Sequence, residues 1–282
     1  GRPRHAASAS VVNEARYLRE FLRYAATVHM PYNVIEAFDQ PWKRAQEGTA
    51  GGYWGIFDAQ ARPKFPMQGP VTESPRWWAG WLAGALGAGL FALAGAWRRR
   101  WHGWRGWATL GLAGIASGCA LAWQFRQMLF ACRGGWEWTV SFAACALALF
   151  TALRLARWVA LRLGTRAPLA ASAGWWRSAW LFGLAFYGLL LVFDGRYRDF
   201  PLGLFMLPCV GHALVGWLSD RRAVAMPLLE ERFLAAWLPV LAAVVVVQEA
   251  GLTPVVWLWL GLNLLLALPV MFDWRDARRL HA

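Results

Sequence analysis

The chain has 282 residues, of which 58% are hydrophobic, and it carries 21 Trp and a formal net charge of +13. Its mean hydropathy of +0.33 excludes an ordinary soluble domain. A strong positive charge is also found in nucleic-acid-binding proteins, but only two of the 29 basic residues are Lys, and most Arg flank apolar runs. This pattern favours the charge bias of a membrane protein, so we expect no nucleic-acid partner.

The cysteines and the glycine-rich stretches give no sign of a cofactor. None of the four cysteines stands in a CxxC or other metal-ligand spacing, and three of them fall in apolar runs typical of small buried residues. No phosphate-binding loop and no motif for a nucleotide sugar appears. We therefore expect neither a metal site nor a cofactor.

The first predicted element is an amphipathic helix over residues 11–28. Apolar residues recur there at helical spacing, Ser10 is placed to cap the N terminus, and Pro31 follows the helix. The polar side carries Arg16, Arg19, Glu20 and Arg23. A leader of about 75 residues with one helix and one or two strands cannot bury a sizeable core. The rest of such a domain is expected upstream or on another chain.

A strand is predicted over residues 32–38, and polar side chains are concentrated at its end. Acids, an amide, a cation and an indole occupy the eight residues from Glu36 to Lys43. β/α barrels bind ligands at strand ends, and carboxylates with flat aromatic faces suit sugars. Residues 51–58 form a second tight segment rich in glycine and aromatic residues. Residues 71–76 are predicted to be a linker.

Seven membrane spans are predicted within a transmembrane domain of residues 77–282. Each apolar run is close to the length that crosses a hydrocarbon core of about 30 Å. His212 is the one ionisable residue well inside a predicted span. Two interpretations of it are open: a functional group, or a neutral histidine bonded to a neighbouring helix. The predicted spans are 77–97, 107–125, 136–153, 178–194, 200–218, 233–250 and 254–272.

The basic residues predict the orientation of these spans. If the spans alternate, the loops on one side carry 15 basic residues and the loops on the other side carry four. The positive-inside rule places the richer set in the cytoplasm. The leader is then outside the cytoplasm, and the C terminus is inside.

The segment from Tyr32 to Lys43, with Glu47 and the segment from Tyr53 to Phe57, resembles the last strand and loop of glycoside hydrolase family 17. That family comprises β-1,3-glucanases and β-1,3-glucan glucosyltransferases. Gln40 departs from the pattern, since many members have Glu there. The resemblance implies a (β/α)8 barrel whose C-terminal fragment is residues 1–70. The expected fold is thus a mainly α-helical polytopic membrane protein with about seven transmembrane helices, preceded by this barrel fragment.

The resemblance also implies what the chain lacks. A retaining glycosidase needs two carboxyls about 5 Å apart, and the family places both catalytic glutamates before the helix at residues 11–28. Asn13 and Glu14 spell the family's Asn-Glu pair, but they lie on that helix and not at a strand end. We therefore expect no catalytic residue here. The chain is interpreted as the C-terminal part of a longer enzyme, inactive as a fragment.

Six leader residues are candidate substrate-binding residues. The acids and the lysine suit sugar hydroxyls, and the two indoles suit a glucose ring face. Structural alternatives stay open, since Asp39 can cap the turn before Pro41, the indoles can pack inside a barrel and the lysine can be a solvated charge. The candidates are Glu36, Asp39, Trp42, Lys43, Glu47 and Trp54.

Three functions remain open. The first is a membrane-anchored hydrolase or glucosyltransferase of the bacterial inner membrane that acts on β-glucan in the periplasm, with the helices as an anchor or as a scaffold beside a glucan synthase. The second is a glucan export or translocation subunit, or a scaffold subunit of a synthase complex. It ranks lower because no inverted repeat and little midplane polarity beyond His212 appear. The third is an anchor for a domain supplied elsewhere.

A reporter enzyme that is active only in the periplasm tests the orientation. Joined after Trp136, it is expected to be active, because the loop before that residue carries few basic residues and lies outside the cytoplasm. Joined after Arg162, in an Arg-rich loop, it is expected to be silent. The opposite pattern of activity would mean that the orientation is inverted.

Overall fold

The structure, a computed structural model, describes residues 9–97, 103–165, 174–193, 198–219 and 227–280. Within these ranges the chain forms nine α-helices and one short 3-10 helix, Pro41–Lys43. The α-helices are α1 Val11–Thr27, α2 Arg44–Gly51, α3 Trp78–Trp97, α4 Gly103–Ala131, α5 Gly135–Thr165, α6 Gly174–Phe193, α7 Leu202–Leu218, α8 Leu229–Gln248 and α9 Pro254–Leu280.

The predicted amphipathic helix is confirmed as α1. The Ser10 hydroxyl oxygen accepts a hydrogen bond of 3.1 Å from the Asn13 N–H, as an N-cap residue should. Ala15 and Leu18 are buried and pack with Phe65, which lies in the segment that follows the glycine-aromatic turn. This small cluster is the core of the leader.

The strand predicted over residues 32–38 is wrong. The contact between this segment and residues 56–57 is an isolated parallel bridge between Phe38 and Phe57. The Asp39 N–H donates to the Phe57 carbonyl and the Phe57 N–H donates to the Ala37 carbonyl, each at 2.9 Å. A strand needs a row of partners along its length, and here only its last residues find one. The expected barrel fragment is accordingly not seen in the described part of residues 1–70.

The chain divides into two compact units. The first unit contains the leader up to Trp77, residues 198–199 and Leu252–Pro254. The second unit contains α3 to α8 and α9 from Val255 onward. The apolar helices therefore form one unit, and the polar leader belongs to the other.

The seven predicted spans fall on α3 to α9. By length and composition, five of these helices can cross a membrane, namely Trp78–Trp97, Gly103–Ala131, Gly135–Gly164, Trp176–Phe193 and Pro254–Asp273. Of the other two, α7 is an apolar helix of 17 residues and α8 carries Glu230, Glu231 and Arg232 near its start. The class of a helical membrane protein is confirmed, and the number of seven spans stays a prediction.

Aromatic rings pack the centre of the second unit. Trp259 is fully buried, and its ring lies edge to face with Phe205, the ring centroids being 5.7 Å apart. Phe205 makes a second edge-to-face contact with Trp180 at 5.8 Å. The Trp180 indole N–H donates to the Thr151 hydroxyl at 3.0 Å, so this indole is satisfied away from water. These contacts join α5, α6, α7 and α9.

Small residues let α3 and α4 approach closely. A Cβ on Gly118 would lie 1.9 Å from the Ala83 carbonyl oxygen, and a Cβ on Gly87 would lie 2.1 Å from the Gly114 carbonyl oxygen. Because lipid tails are as apolar as the helices, such backbone contact is a main source of attraction between helices in a membrane. The α3–α4 pair therefore depends on these glycines.

Gly118→Val is expected to destabilise the α3–α4 pair, because its side chain would collide with the backbone of α3. The expected loss is about 1–3 kcal/mol or more, the usual cost of overpacking. Gly111→Val is the matched control, since a Cβ at Gly111 on the same helix meets nothing within 4 Å. Thermal unfolding of both variants in detergent measures the difference. Equal unfolding temperatures for the two would contradict the role assigned to Gly118.

Candidate functional site

The leader site consists of the six candidate residues around the contact between residues 36–39 and 55–57: Glu36, Asp39, Trp42, Lys43, Glu47 and Trp54. The contact brings the strand-like segment against the glycine-aromatic segment, because backbone hydrogen bonds join the two. Pro41 starts the 3-10 helix that carries Trp42 and Lys43, and α2 follows and carries Glu47. Residues scattered over 19 positions of sequence thus belong to one compact unit.

Asp39 links the two segments of the site. Its side chain is 4% exposed, and its Oδ1 lies 2.6 Å from Lys64 Nζ. The same oxygen accepts a hydrogen bond of 2.9 Å from the Gly55 N–H. A Cβ on Gly55 would lie 2.2 Å from the Asp39 nitrogen, so only glycine fits there. Asp39 therefore fastens the glycine-aromatic segment, which differs from its predicted alternative of capping the turn before Pro41.

Glu36 and Lys43 form an ion pair that is largely shielded from solvent, with side-chain exposures of 15% and 18%. Lys43 is thus a paired cation and not a solvated charge. Its Nζ also lies 5.8 Å from the centroid of the Trp42 ring. The second carboxylate oxygen of Glu36, Oε2, is buried and has no hydrogen-bond partner among the described residues.

Glu47 presents a second carboxylate oxygen of this kind. Its Oε2 is buried and likewise finds no hydrogen bond in the part of the chain that the structure describes. It lies against Gly51, where a Cβ would stand 2.7 Å from that oxygen. A buried acceptor left without a partner costs about 1–3 kcal/mol. The Oε2 atoms of Glu36 and Glu47 are thus two buried acceptors for which the described chain supplies no donor.

The two indoles of the site are open to solvent to different degrees. Trp42 is 65% exposed and Trp54 is 39% exposed. Trp42 thus offers exposed indole surface beside the Glu36–Lys43 pair. In this unit Trp42 is not packed inside a barrel, which was the structural alternative for it.

Two further residues, Lys64 and Glu14, interact with Asp39. The sequence did not predict Lys64 as a site residue, and Glu14 was rejected there as a catalytic residue. Lys64 pairs with Asp39 and also donates to the Tyr53 carbonyl at 2.9 Å. Burial raises the pKa of the Glu14 carboxyl, which the Lys64 ammonium lowers and the Asp39 carboxylate raises. Glu14 lies one helical turn before the buried Leu18. This i, i+4 spacing places Glu14 on the inner face of α1, and it is visible in the sequence.

A second polar cluster lies in the membrane unit, and sequence reasoning missed it as well. Arg177 Nη2 lies 2.8 Å from Glu231 Oε2, and Arg177 Nη1 lies 3.2 Å from Asp273 Oδ2. Ser178 donates to Glu231 at 2.9 Å. The sequence predicts Arg177 in a basic loop. The structure places it on α6, where its side chain is 12% exposed.

His212 is 4% exposed on α7, and its Nε2 has no hydrogen-bond partner among the described residues. This finding concerns one of the two ring nitrogens, so a functional group and a neutral histidine bonded to a neighbouring helix both stay predictions.

Within the described ranges, no three His, Cys, Asp or Glu side chains converge in a way that could hold a metal ion. Comparisons of the chain with known protein families, with curated proteins and with solved structures found no match. The site therefore has to be interpreted from its own geometry.

Glu14→Gln is expected to stabilise the leader at pH 7. Because burial raises the pKa of Glu14 above its ordinary value of 4.5, the folded state binds this proton more tightly than the unfolded state. The stability that the protonated group contributes is present below pH 4.5 and is lost as the pH rises through the raised pKa. The gain from Glu14→Gln should therefore be largest at neutral pH and small at pH 4.

Amide hydrogen exchange of α1 measures this effect between pH 4 and pH 8, after correction for the intrinsic exchange rate. Glu20→Gln is the control, since Glu20 is exposed on the same helix and pairs with Arg16 at the surface. A change for Glu14→Gln that is the same at every pH would contradict the assignment.

Proposed function

We propose that the chain belongs to a membrane-anchored protein of the bacterial inner membrane that acts on β-1,3-glucan in the periplasm, and that the leader site binds the glucan. The resemblance to glycoside hydrolase family 17 points to a hydrolase or a glucosyltransferase. By this resemblance, the two carboxylates of the retaining mechanism precede α1, and two of the three acids of the leader site are paired with lysines. The role of this chain is substrate binding and anchoring.

The observation that carries the proposal is the contact between the two parts of the motif. Tyr32 to Lys43 and Tyr53 to Phe57 are separate in sequence, and Asp39 joins them through Gly55. An open indole, Trp42, stands beside this contact. A sugar offers an apolar ring face to such an indole, so its chemistry matches this feature.

Contacts at helix ends support seven alternating spans. Arg177 near the start of α6 contacts Glu231 near the start of α8, so the starts of these two helices lie on the same side. A chain that crosses along α6 therefore returns along α7. Asp273 near the end of α9 meets Arg177 as well, which requires α8 to cross in the direction opposite to α9. Gln248 near the end of α8 donates to the Val192 carbonyl near the end of α6 at 3.2 Å. With the Arg bias, this arrangement favours a periplasmic leader and a cytoplasmic C terminus.

A second candidate function is glucan export, or a scaffold within a glucan synthase complex. One feature of the membrane unit favours it: His212, which lies inside α7 and whose Nε2 has no partner among the described side chains. Ionisable groups within membrane segments commonly mark functional sites. Under this candidate, substitution of His212 reduces glucan export by cells and leaves glucan binding by the purified chain unchanged.

Binding of laminari-oligosaccharides to the full chain in detergent tests the glucan proposal. Trp42→Ala is expected to weaken binding about fivefold, because an aromatic contact is worth about 1 kcal/mol. Trp217→Ala is the control, since it removes an indole that is 81% exposed on α7, outside the leader site. Isothermal titration calorimetry measures the affinities, and product analysis should find no hydrolysis by this chain. Absence of binding, or equal weakening in both variants, would overturn the proposal.

A further inference from the structure

We propose that the polar face of α1 forms a binding site for a phosphate-bearing group, with Arg16, Arg19 and Arg23 as its donors. An open cleft of about 310 Å³ lies along this face and is closed on one side by Val71. It lies in the leader but contains none of the leader-site residues. The inference is therefore independent of glucan binding.

The spacing of the three arginines places them together. They stand at positions i, i+3 and i+7 of α1, which share one face of a helix, and all three line the cleft. Each guanidinium carries five N–H donors in a planar fork and stays charged at any physiological pH. The lining contains one carboxylate, Glu20, so its net charge is positive.

Arg19 is held in place before any ligand arrives. Its Nη1 donates to the Gly69 carbonyl at 2.9 Å, and its Nη2 donates to the Pro66 carbonyl at 2.5 Å. These bonds fasten the segment after Phe65 across α1. The Nε of Arg19 is buried and has no acceptor among the described residues. This unpaired donor costs stability, and Arg19 also lines the cleft.

Arg23 and Arg16 differ in how firmly their side chains are already held. The Nε of Arg23 donates to the Arg19 carbonyl at 3.2 Å, which orients Arg23 along the helix. Arg16 pairs with Glu20 at 3.3 Å, and the two side chains are 73% and 60% exposed. An exposed pair of this kind is worth about 0–1 kcal/mol, so an anion can compete for Arg16.

The chemistry of the cleft selects a phosphoryl group. Forked guanidinium donors match the oxygens of a phosphate, and charge-assisted bonds of this type are about twice as strong as neutral ones. A neutral glucan would leave the net positive charge of the lining uncompensated. The volume is at the lower end of small-molecule sites, which span about 300–1,000 Å³. A phosphate with a small ester group fits it, either as a soluble phosphate ester or as the headgroup of a phospholipid.

The test uses the full chain with two probes. Glycerol 3-phosphate, a soluble phosphate ester, is titrated calorimetrically into the protein in neutral detergent. Native mass spectrometry then measures retention of phosphatidylglycerol against phosphatidylcholine. The cleft variant is Arg16→Gln with Arg23→Gln, which keeps the bonds of Arg19 to the segment at residues 66–69. The control is Arg62→Gln with Arg76→Gln, which removes the same charge from exposed positions of the leader outside the cleft.

Saturable binding of at least one probe is expected, weaker by about tenfold or more in the cleft variant and nearly unchanged in the control. Binding of glycerol 3-phosphate identifies a soluble ester as the source, and selective retention of phosphatidylglycerol alone identifies a headgroup. Equal weakening in both variants, or no saturable binding of either probe, would overturn the proposal.

A second measurement does not depend on how the variants fold. In the wild-type chain, the ¹H–¹⁵N resonance of the Arg19 Nε–H should shift when the binding probe is added, because Arg19 lines the cleft and a bound phosphate changes the electric field at its guanidinium. An unchanged resonance at saturation would overturn the proposal. Failure of the chain to bind laminari-oligosaccharides would leave this result unaffected, so the two proposals can fail separately.

Discussion

The membrane unit depends on one buried cation. Arg177 on α6 bonds to Glu231 on α8 and to Asp273 on α9, and the side chains of all three are at most 14% exposed. Removing one partner of such a cluster typically costs about 3–5 kcal/mol, because the remaining charge is left buried. The contact also admits only arrangements in which these helix ends come together. A few polar atoms thus constrain the directions of four successive helices, α6 to α9.

Different physical means hold the remaining helices. Between α3 and α4, backbone meets backbone at Gly87 and Gly118, so the attraction comes from close packing. Around Trp259, aromatic rings meet edge to face, and the nearby Trp180 indole N–H is satisfied by Thr151. Apolar side chains gain little by leaving lipid for protein, and both contacts gain instead from fit and from hydrogen bonds. Gly87, Gly118 and Trp259 are therefore primarily structural residues.

The leader is stabilised in another way, because its core is small. Its buried cluster contains Ala15, Leu18 and Phe65, and a unit of this size buries too little apolar surface to rely on it alone. Ion pairs add to it: Asp39 with Lys64, and Glu36 with Lys43. Two of the three acids of the proposed glucan site, Glu36 and Asp39, consequently also fasten its loops. A ligand at this site would meet groups that are already ordered, which lowers the entropy cost of binding.

The sequence by itself determined the features that depend on neighbours along the chain. The helical spacing of apolar residues located α1, apolar runs located the helices α3 to α9, and Ser10 was identified as an N-cap, because helical hydrogen bonds and caps reach only a few residues. The tertiary structure alone decided what depends on distant residues. The segment at 32–38 is not a strand, since a strand needs partners elsewhere in the chain. Arg177 is 54 residues from Glu231, and Asp39 is 25 residues from Lys64, and no local pattern encodes such pairs.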